Sequence, residues 1–205
     1  MKEIRAFNFD VRAEENEEHG HFLTGQPIVF DAASDLGWYT EIIERNALAD
    51  TDLRDVRFLV NHNTDMIPLA RSRNNNENST MQMVVTESGM DIRVDLDTEN
   101  NADARSLYSA VERGDITGMS FMFTVDKDTW TDLKSEHPTR NINSIGKVFE
   151  VSAVTFPAYE ATSISARGLS DALEGAKTSL ESAKAEQREI ERRKQKIRIL
   201  TEVSN

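Results

Sequence analysis

A mainly β fold with some helices, followed by a helical tail, is what this 205-residue sequence predicts. Three observations carry that expectation. Short segments rich in β-branched and aromatic residues fill residues 1–168, several of them alternating apolar with polar positions as a half-buried strand requires. No strand–helix–strand series suggests a parallel α/β core. After residue 168 the period changes to a helical one, and the charge changes with it: residues 1–170 carry a formal −13 and residues 171–205 carry +1.

The elements follow in order. IRAFNFDV places Arg5, Phe7 and Phe9 on one side of a strand, and the aromatic side is the expected buried face. HFLTGQPIVF at 21–30 is a second strand, bent by Gly25 and Pro27. In WYTEIIERNAL, Ile42, Ile43 and Ala47 fall at helical spacing, so a helix is predicted over 38–48. LRDVRFLV then runs as an apolar strand up to Asn61, His62 and Asn63. RNNNENST at 73–80 is too polar to pack and reads as a loop or hairpin tip. TMQMVVTESGMDIRVDLD is a hairpin hinged at Ser88 and Gly89, with Met90, Ile92, Val94 and Leu96 on one face.

ADARSLYSAVERG at 102–114 is the clearest helix of the body, with Ala104, Leu107, Tyr108 and Val111 on one side and Gly114 as its stop. GMSFMFTV at 118–125 and KVFEVSAVTF at 147–156 are strands, separated by a polar stretch that predicts a short strand and a surface excursion. TSISAR at 162–167 could supply a last short strand. In the tail, Leu173, Leu180, Gln187 and Lys194 form one seven-residue series, and Ala176, Ala183, Ile190 and Ile197 form the other. The polar members all fall in the later half, so the pattern specifies a helix better than a coiled-coil dimer. The predicted division is therefore a domain over 1–168 and a charged, weakly coiled-coil-like helical tail over 169–205.

Composition removes several classes of chemistry. With no cysteine, the chain has no disulfide framework, thiolate zinc site, iron–sulfur centre or cysteine nucleophile, so chemistry must use oxygen or imidazole. Its 36 acidic and 24 basic residues give −12, which disfavours a general nucleic-acid surface. No run approaches the roughly 18 apolar residues of a membrane span, and the first residues lack the pattern of a signal peptide. A soluble protein of the cell interior is expected.

Polar residues interrupt apolar segments at three places: Asn61-His62-Asn63, Ser120 in GMSFMF, and Glu150 in VFEVSAV. A serine needs a base to become a nucleophile, a histidine can supply it, and a carboxylate can hold the imidazole's tautomer. The same residues also admit plainer readings. Ser120 could be a hydroxyl satisfied within a strand, and Glu150 must either face solvent or have a partner, because an unpaired buried carboxylate is costly. GMSF is not the G-x-S-x-G nucleophile elbow. His19 and His21 lack a third ligand at convincing spacing and read as surface histidines. Trp38 and Trp130 read as packing residues.

Five blocks, taken in order and spacing, carry a resemblance: GQPIVF with SDLGWYTEII, RDVRFLVNHN, SGMDIRVDL, ADARSLYSAVERGDITGMSFMF, and VFEVSAVTFPAYEATSISAR. Over about residues 20–167 the chain resembles the prohead maturation proteases of tailed bacteriophages, which are distantly similar in fold to the herpesvirus assemblins. The resemblance implies a small antiparallel β-barrel of assemblin-like type with surrounding helices. It implies a serine endopeptidase with Ser120 as nucleophile and His62 as general base. Glu150 matches the third, orienting position, with His137 the other candidate because assemblin-like enzymes use histidine there. Arg140 or Arg167 could set an oxyanion-binding loop. The implied substrates are scaffolding protein or the scaffold-like delta domain of the major capsid protein precursor, and the protease itself, cut inside an assembling procapsid in the host cytoplasm. No cofactor, metal, membrane or specific nucleic acid is implied; a homo-oligomer is. A catalytically inactive capsid-assembly or scaffolding relative is the alternative.

Overall fold

Alternation of apolar and polar side chains along the strands, more than helix formation, shapes the molecule. The computed structural model describes residues 2–7, 11–155 and 166–203. A larger sheet contains β1 (Lys2–Phe7), β10 (Gly118–Thr131), β11 (Thr139–Val154), β5 (Thr40–Ile43) and β4 (Ser34–Asp35), in that order. Farther along β11, β6 (Asp55–Val60) pairs with it, and β7 (Ala70–Arg73) pairs with β6. The smaller sheet runs β2 (Arg12–Asn16), β3 (Gly20–Val29), β9 (Gly89–Asp95), β8 (Met81–Val85). Helix α1 spans Ala102–Glu112 and α2 spans Ala166–Val203.

Phe58, Phe121, Phe123 and Val151 of the larger sheet share one apolar cluster with Leu23, Ile28, Met90, Ile92 and Val94 of the smaller. Each such side chain contributes about 1.5–3 kcal/mol when removed from water. Ala104, Leu107 and Val111 bury one stripe of α1 against this core. Asn101 caps the helix by accepting from the Asp103 and Ala104 N–H groups. Gly114, at φ +76°, supplies the expected stop.

The mainly β class with helices is as expected, but the barrel is not formed: both sheets are open. Closure needs the first and last strands to meet with a fixed stagger. Here β11 instead takes β5 as a parallel neighbour along Thr139–Ile142 and β6 as a parallel neighbour along Glu150–Ala153, so the sheet forks rather than curling shut.

Two local expectations also change. Residues 38–48 are not a helix: Tyr39, Glu41 and Ile43 are buried alternately with Thr40 and Ile42 less so, which is the period of strand β5. The polar stretch after Val125 is not a surface excursion but the far half of a long hairpin, in which Trp130 pairs with Arg140. Its periodicity is broken by register shifts between Met122 and Asp128, and so its strands escape a pattern search. On β1 the face that carries Arg5 is buried, as expected, with Glu3 beside it, and the Phe7 side chain lies outside the described residues. Phe9 and most of the TSISAR segment lie outside the described residues.

Candidate active site

Strands β10 and β11 present opposite chemistry on their two faces. Met119, Phe121, Val151 and Ala153 join the apolar core, so Ser120, Met122, Glu150 and Ser152 stand on the other face. The register sets Ser120 directly across from Ser152 and Met122 across from Glu150. Directly opposed residues hold their Cβ atoms about 4.5–5.5 Å apart, so the two serines are neighbours.

Over this face turns the chain that leaves β6. The Asn61 N–H donates to Ala153 O at 2.9 Å, continuing the β6–β11 ladder by one bond. Then Asn61 and His62 both adopt left-handed backbone, at φ 51° and 56°. Two consecutive non-glycine residues in that region carry strain, which the surroundings must hold. Part of the restraint is a reciprocal clasp: Asn61 Nδ2 donates to Thr155 Oγ1 at 3.1 Å, and the Thr155 N–H donates to Asn61 Oδ1 at 2.9 Å. The His62 N–H donates to Ser152 Oγ at 3.1 Å.

The result is an imidazole seated on a carboxylate. His62 Nδ1 lies 2.6 Å from Glu150 Oε1, with the histidine side chain 13% exposed and the glutamate 3%. Ser152 Oγ donates to the other carboxylate oxygen at 2.5 Å. A carboxylate oxygen accepts, so Nδ1 is the donating nitrogen of this contact, and the imidazole tautomer with that hydrogen has its lone pair on Nε2. That Nε2 is buried and has no hydrogen-bond partner. Ser120 is fully buried, and its Oγ donates to Arg5 O on β1 at 2.8 Å rather than to His62. Beside the pair a cleft of about 290 Å³ opens among Leu59, Met66 and Met122, with Glu150 in its wall.

Of the residues singled out in the sequence, His62 and Glu150 are therefore in contact, and Ser120 lies on the same sheet face with its hydroxyl turned to the neighbouring strand. His137 is elsewhere: its Nε2 is 3.0 Å from Thr40 Oγ1 on an exposed edge. Arg140 is also elsewhere, in a buried charge cluster with Glu3, Glu41 and Asp128. The Arg167 side chain lies outside the described residues. Ser152 escaped the sequence reading. Its signal was its position two residues beyond Glu150, which on a strand means the same face. Among the described residues no group of three or more His, Asp or Glu is arranged to hold a metal.

Residues 7–175 match the model of the caudovirus prohead serine protease family. The prohead protease of Enterobacteria phage HK97 is 32% identical over 130 residues, which cover 63% of this chain and 52% of that protein, so the chain spans about half the length of this curated relative. The capsid assembly protease gp21 of bacteriophage T4 aligns in structure with a TM-score of 0.38 at 12% identity, covering 74% of this chain and 98% of that one. With the family model matched across most of its length, the chain belongs to the caudovirus prohead serine proteases.

Proposed function

We propose that this chain is a serine endopeptidase of capsid maturation, with Ser120 as nucleophile, His62 as general base and Glu150 as the residue that orients and charges the base. The observation that carries the reading is the His62 ring, held through Nδ1 by Glu150 while its buried Nε2 stays without a partner. A proton acceptor awaiting its donor has this form.

Reaction requires Ser120 to turn about its Cα–Cβ bond, giving up the bond to Arg5 O and offering its proton to His62 Nε2. The cost is one hydrogen bond, about 1 kcal/mol net. Ser120 Oγ then adds to the scissile carbonyl as its proton passes to Nε2. Collapse breaks the C–N bond, the same proton leaves with the amine, and an acyl-serine remains. Water, deprotonated by His62, repeats the addition and frees the carboxylic acid. Glu150 stabilises the imidazolium in both halves without accepting its proton.

The proposed substrates are scaffolding protein or the scaffold-like delta region of the major capsid protein precursor, together with the protease itself. The proposed setting is the interior of an assembling procapsid in the infected cell, with the enzyme as a homo-oligomer. The exposed basic half of α2 serves in this scheme to bind scaffold or capsid precursor while the enzyme is packaged. No described helix is long and apolar enough to cross a membrane.

The orientation of Ser120 toward Arg5 O favours a second reading, an inactive assembly protein that keeps the protease fold. Co-expression with capsid precursor separates the two, read by intact mass. The wild type trims the precursor, whereas Ser120→Ala and His62→Ala leave it uncut in shells that still assemble. Undiminished trimming by either variant overturns the catalytic assignment, and an uncut precursor with the wild type supports the inactive relative.

A further inference from the structure

We propose that Ser152 is a positioning residue for the His62–Glu150 pair, a role that deepens the protease reading and rests on it. Ser152 is fully buried, and its single hydroxyl serves both partners at once: Oγ accepts the His62 backbone N–H at 3.1 Å and donates its own hydrogen to Glu150 Oε2 at 2.5 Å. The N–H it accepts belongs to a residue at φ 56°, where the chain has just left the β6–β11 ladder and no strand carbonyl takes that hydrogen. The oxygen it donates to is the half of the carboxylate that His62 does not use. One side chain thereby fixes where the imidazole stands and how the carboxylate is turned.

Few side chains can do both. An alanine would leave a part-buried N–H and a buried carboxylate oxygen each short of a partner, a penalty that relaxes only by moving the turn or rotating the carboxylate. Either movement shifts Nε2, and positioning errors of this kind act on turnover more than on binding. A threonine keeps the hydroxyl. Ser152 Oγ both accepts the His62 N–H and donates to Glu150 Oε2, so its hydroxyl is engaged with the two residues it positions.

Two readouts on the full chain test the proposal. The first is the deshielded Nδ1–H proton resonance of His62, recorded by NMR in a Ser120→Ala background so that no self-cleavage intervenes. It is expected where Glu150 holds the ring, to be lost or shifted in Ser152→Ala, and restored in Ser152→Thr. The second is cleavage of capsid precursor with Ser120 intact: Ser152→Ala should lower kcat roughly 10- to 100-fold with little change in KM, and Ser152→Thr should recover most of it. An unaltered resonance and rate in Ser152→Ala overturn the proposal. Equal loss in the alanine and threonine variants also overturns it, because packing rather than the hydroxyl would then be what matters. The resonance does not depend on turnover, so a failure of the protease reading shows in the second measurement alone.

Discussion

Two buried polar groups share the larger sheet, and they are finished differently. In the first, Arg5 bonds Glu41 and Glu3, while Arg140 bonds Glu3, Glu41 and Asp128. Each of Glu3, Arg5, Glu41 and Arg140 has at least two partners, and the Tyr39 hydroxyl accepts from Arg5 at 3.4 Å. Ser179 of α2 joins the edge of this cluster, donating to Asp128 at 2.8 Å and accepting from Trp130 Nε1 at 3.0 Å. In the second group Glu150 and Ser152 are equally enclosed and His62 is 13% exposed, and the buried Nε2 of that ring is left without a partner. A saturated network has nothing to give to a substrate and specifies structure; an unsaturated one retains chemistry. Arg5 links the cluster to Ser120, with its side chain in the cluster and its carbonyl oxygen accepting from the Ser120 hydroxyl.

The contrast can be broken by asking whether each region fails in its own way. Beyond the Ser120 and His62 variants, the largest effect expected is from Glu150→Gln, which keeps the shape but cannot stabilise an imidazolium. Precursor cleavage should fall by roughly a hundred- to ten-thousand-fold, while the denaturant midpoint moves little. A rate within tenfold of wild type would remove Glu150 from the chemistry. Glu41→Ala should do the reverse. Taking one carboxylate from two buried guanidiniums that keep Glu3 and Asp128 should cost about 1–3 kcal/mol, seen in chemical denaturation, without loss of cleavage per folded molecule. If stability is retained instead, the cluster is not the structural half.

Acid sharpens the same comparison. Burial pushes the Glu3 carboxyl up, but Arg5 and Arg140 together outweigh it and hold it below its ordinary value of 4.5. A depressed carboxylate contributes stability that is whole above that ordinary value and is lost as pH falls through the folded one. Denaturant midpoints should therefore drop below pH 4.5 in the wild type, and Glu3→Gln, less stable at neutral pH, should show a shallower drop. A parallel pH course in both proteins would show that Glu3 is not the group responsible. The smallest effect belongs to the tail. Residues 188–199 are exposed, and the ion pairs Lys134–Glu191, at 3.5 Å, and Arg193–Glu189 are surface ones. Deleting 188–205 should change stability by less than about 1 kcal/mol, while reducing incorporation into proheads. Normal incorporation would release the tail from its proposed docking role.

Much of the fold was legible where periodicity was unbroken. The β8–β9 hairpin, α1 and the strand leading to His62 follow from alternation, helical spacing and turn residues. Legibility failed where tertiary pairing overrode local pattern. Adjacent Ile42 and Ile43 imitate a helical face, but parallel pairing with β11 makes the segment a strand. The long β10–β11 hairpin hid behind register shifts. Arg5 finds Glu41 36 positions away and Glu3 finds Arg140 137 positions away, pairings that no local pattern announces. Within the site, His62, Ser120 and Glu150 stood out as polar breaks in apolar runs, whereas Ser152 looked like an ordinary strand serine.

The sequence by itself determined the residue types available for chemistry and the faces on which they stand, because side-chain alternation is a local property of an extended chain. It also excluded thiol chemistry outright. Only the tertiary structure decided that the sheets stay open, that Glu150 finds His62 rather than water, and that Ser120 rests against Arg5 O. Those outcomes depend on strand register and on a left-handed turn, which join residues as many as 115 positions apart, and no local pattern encodes which distant partner will arrive.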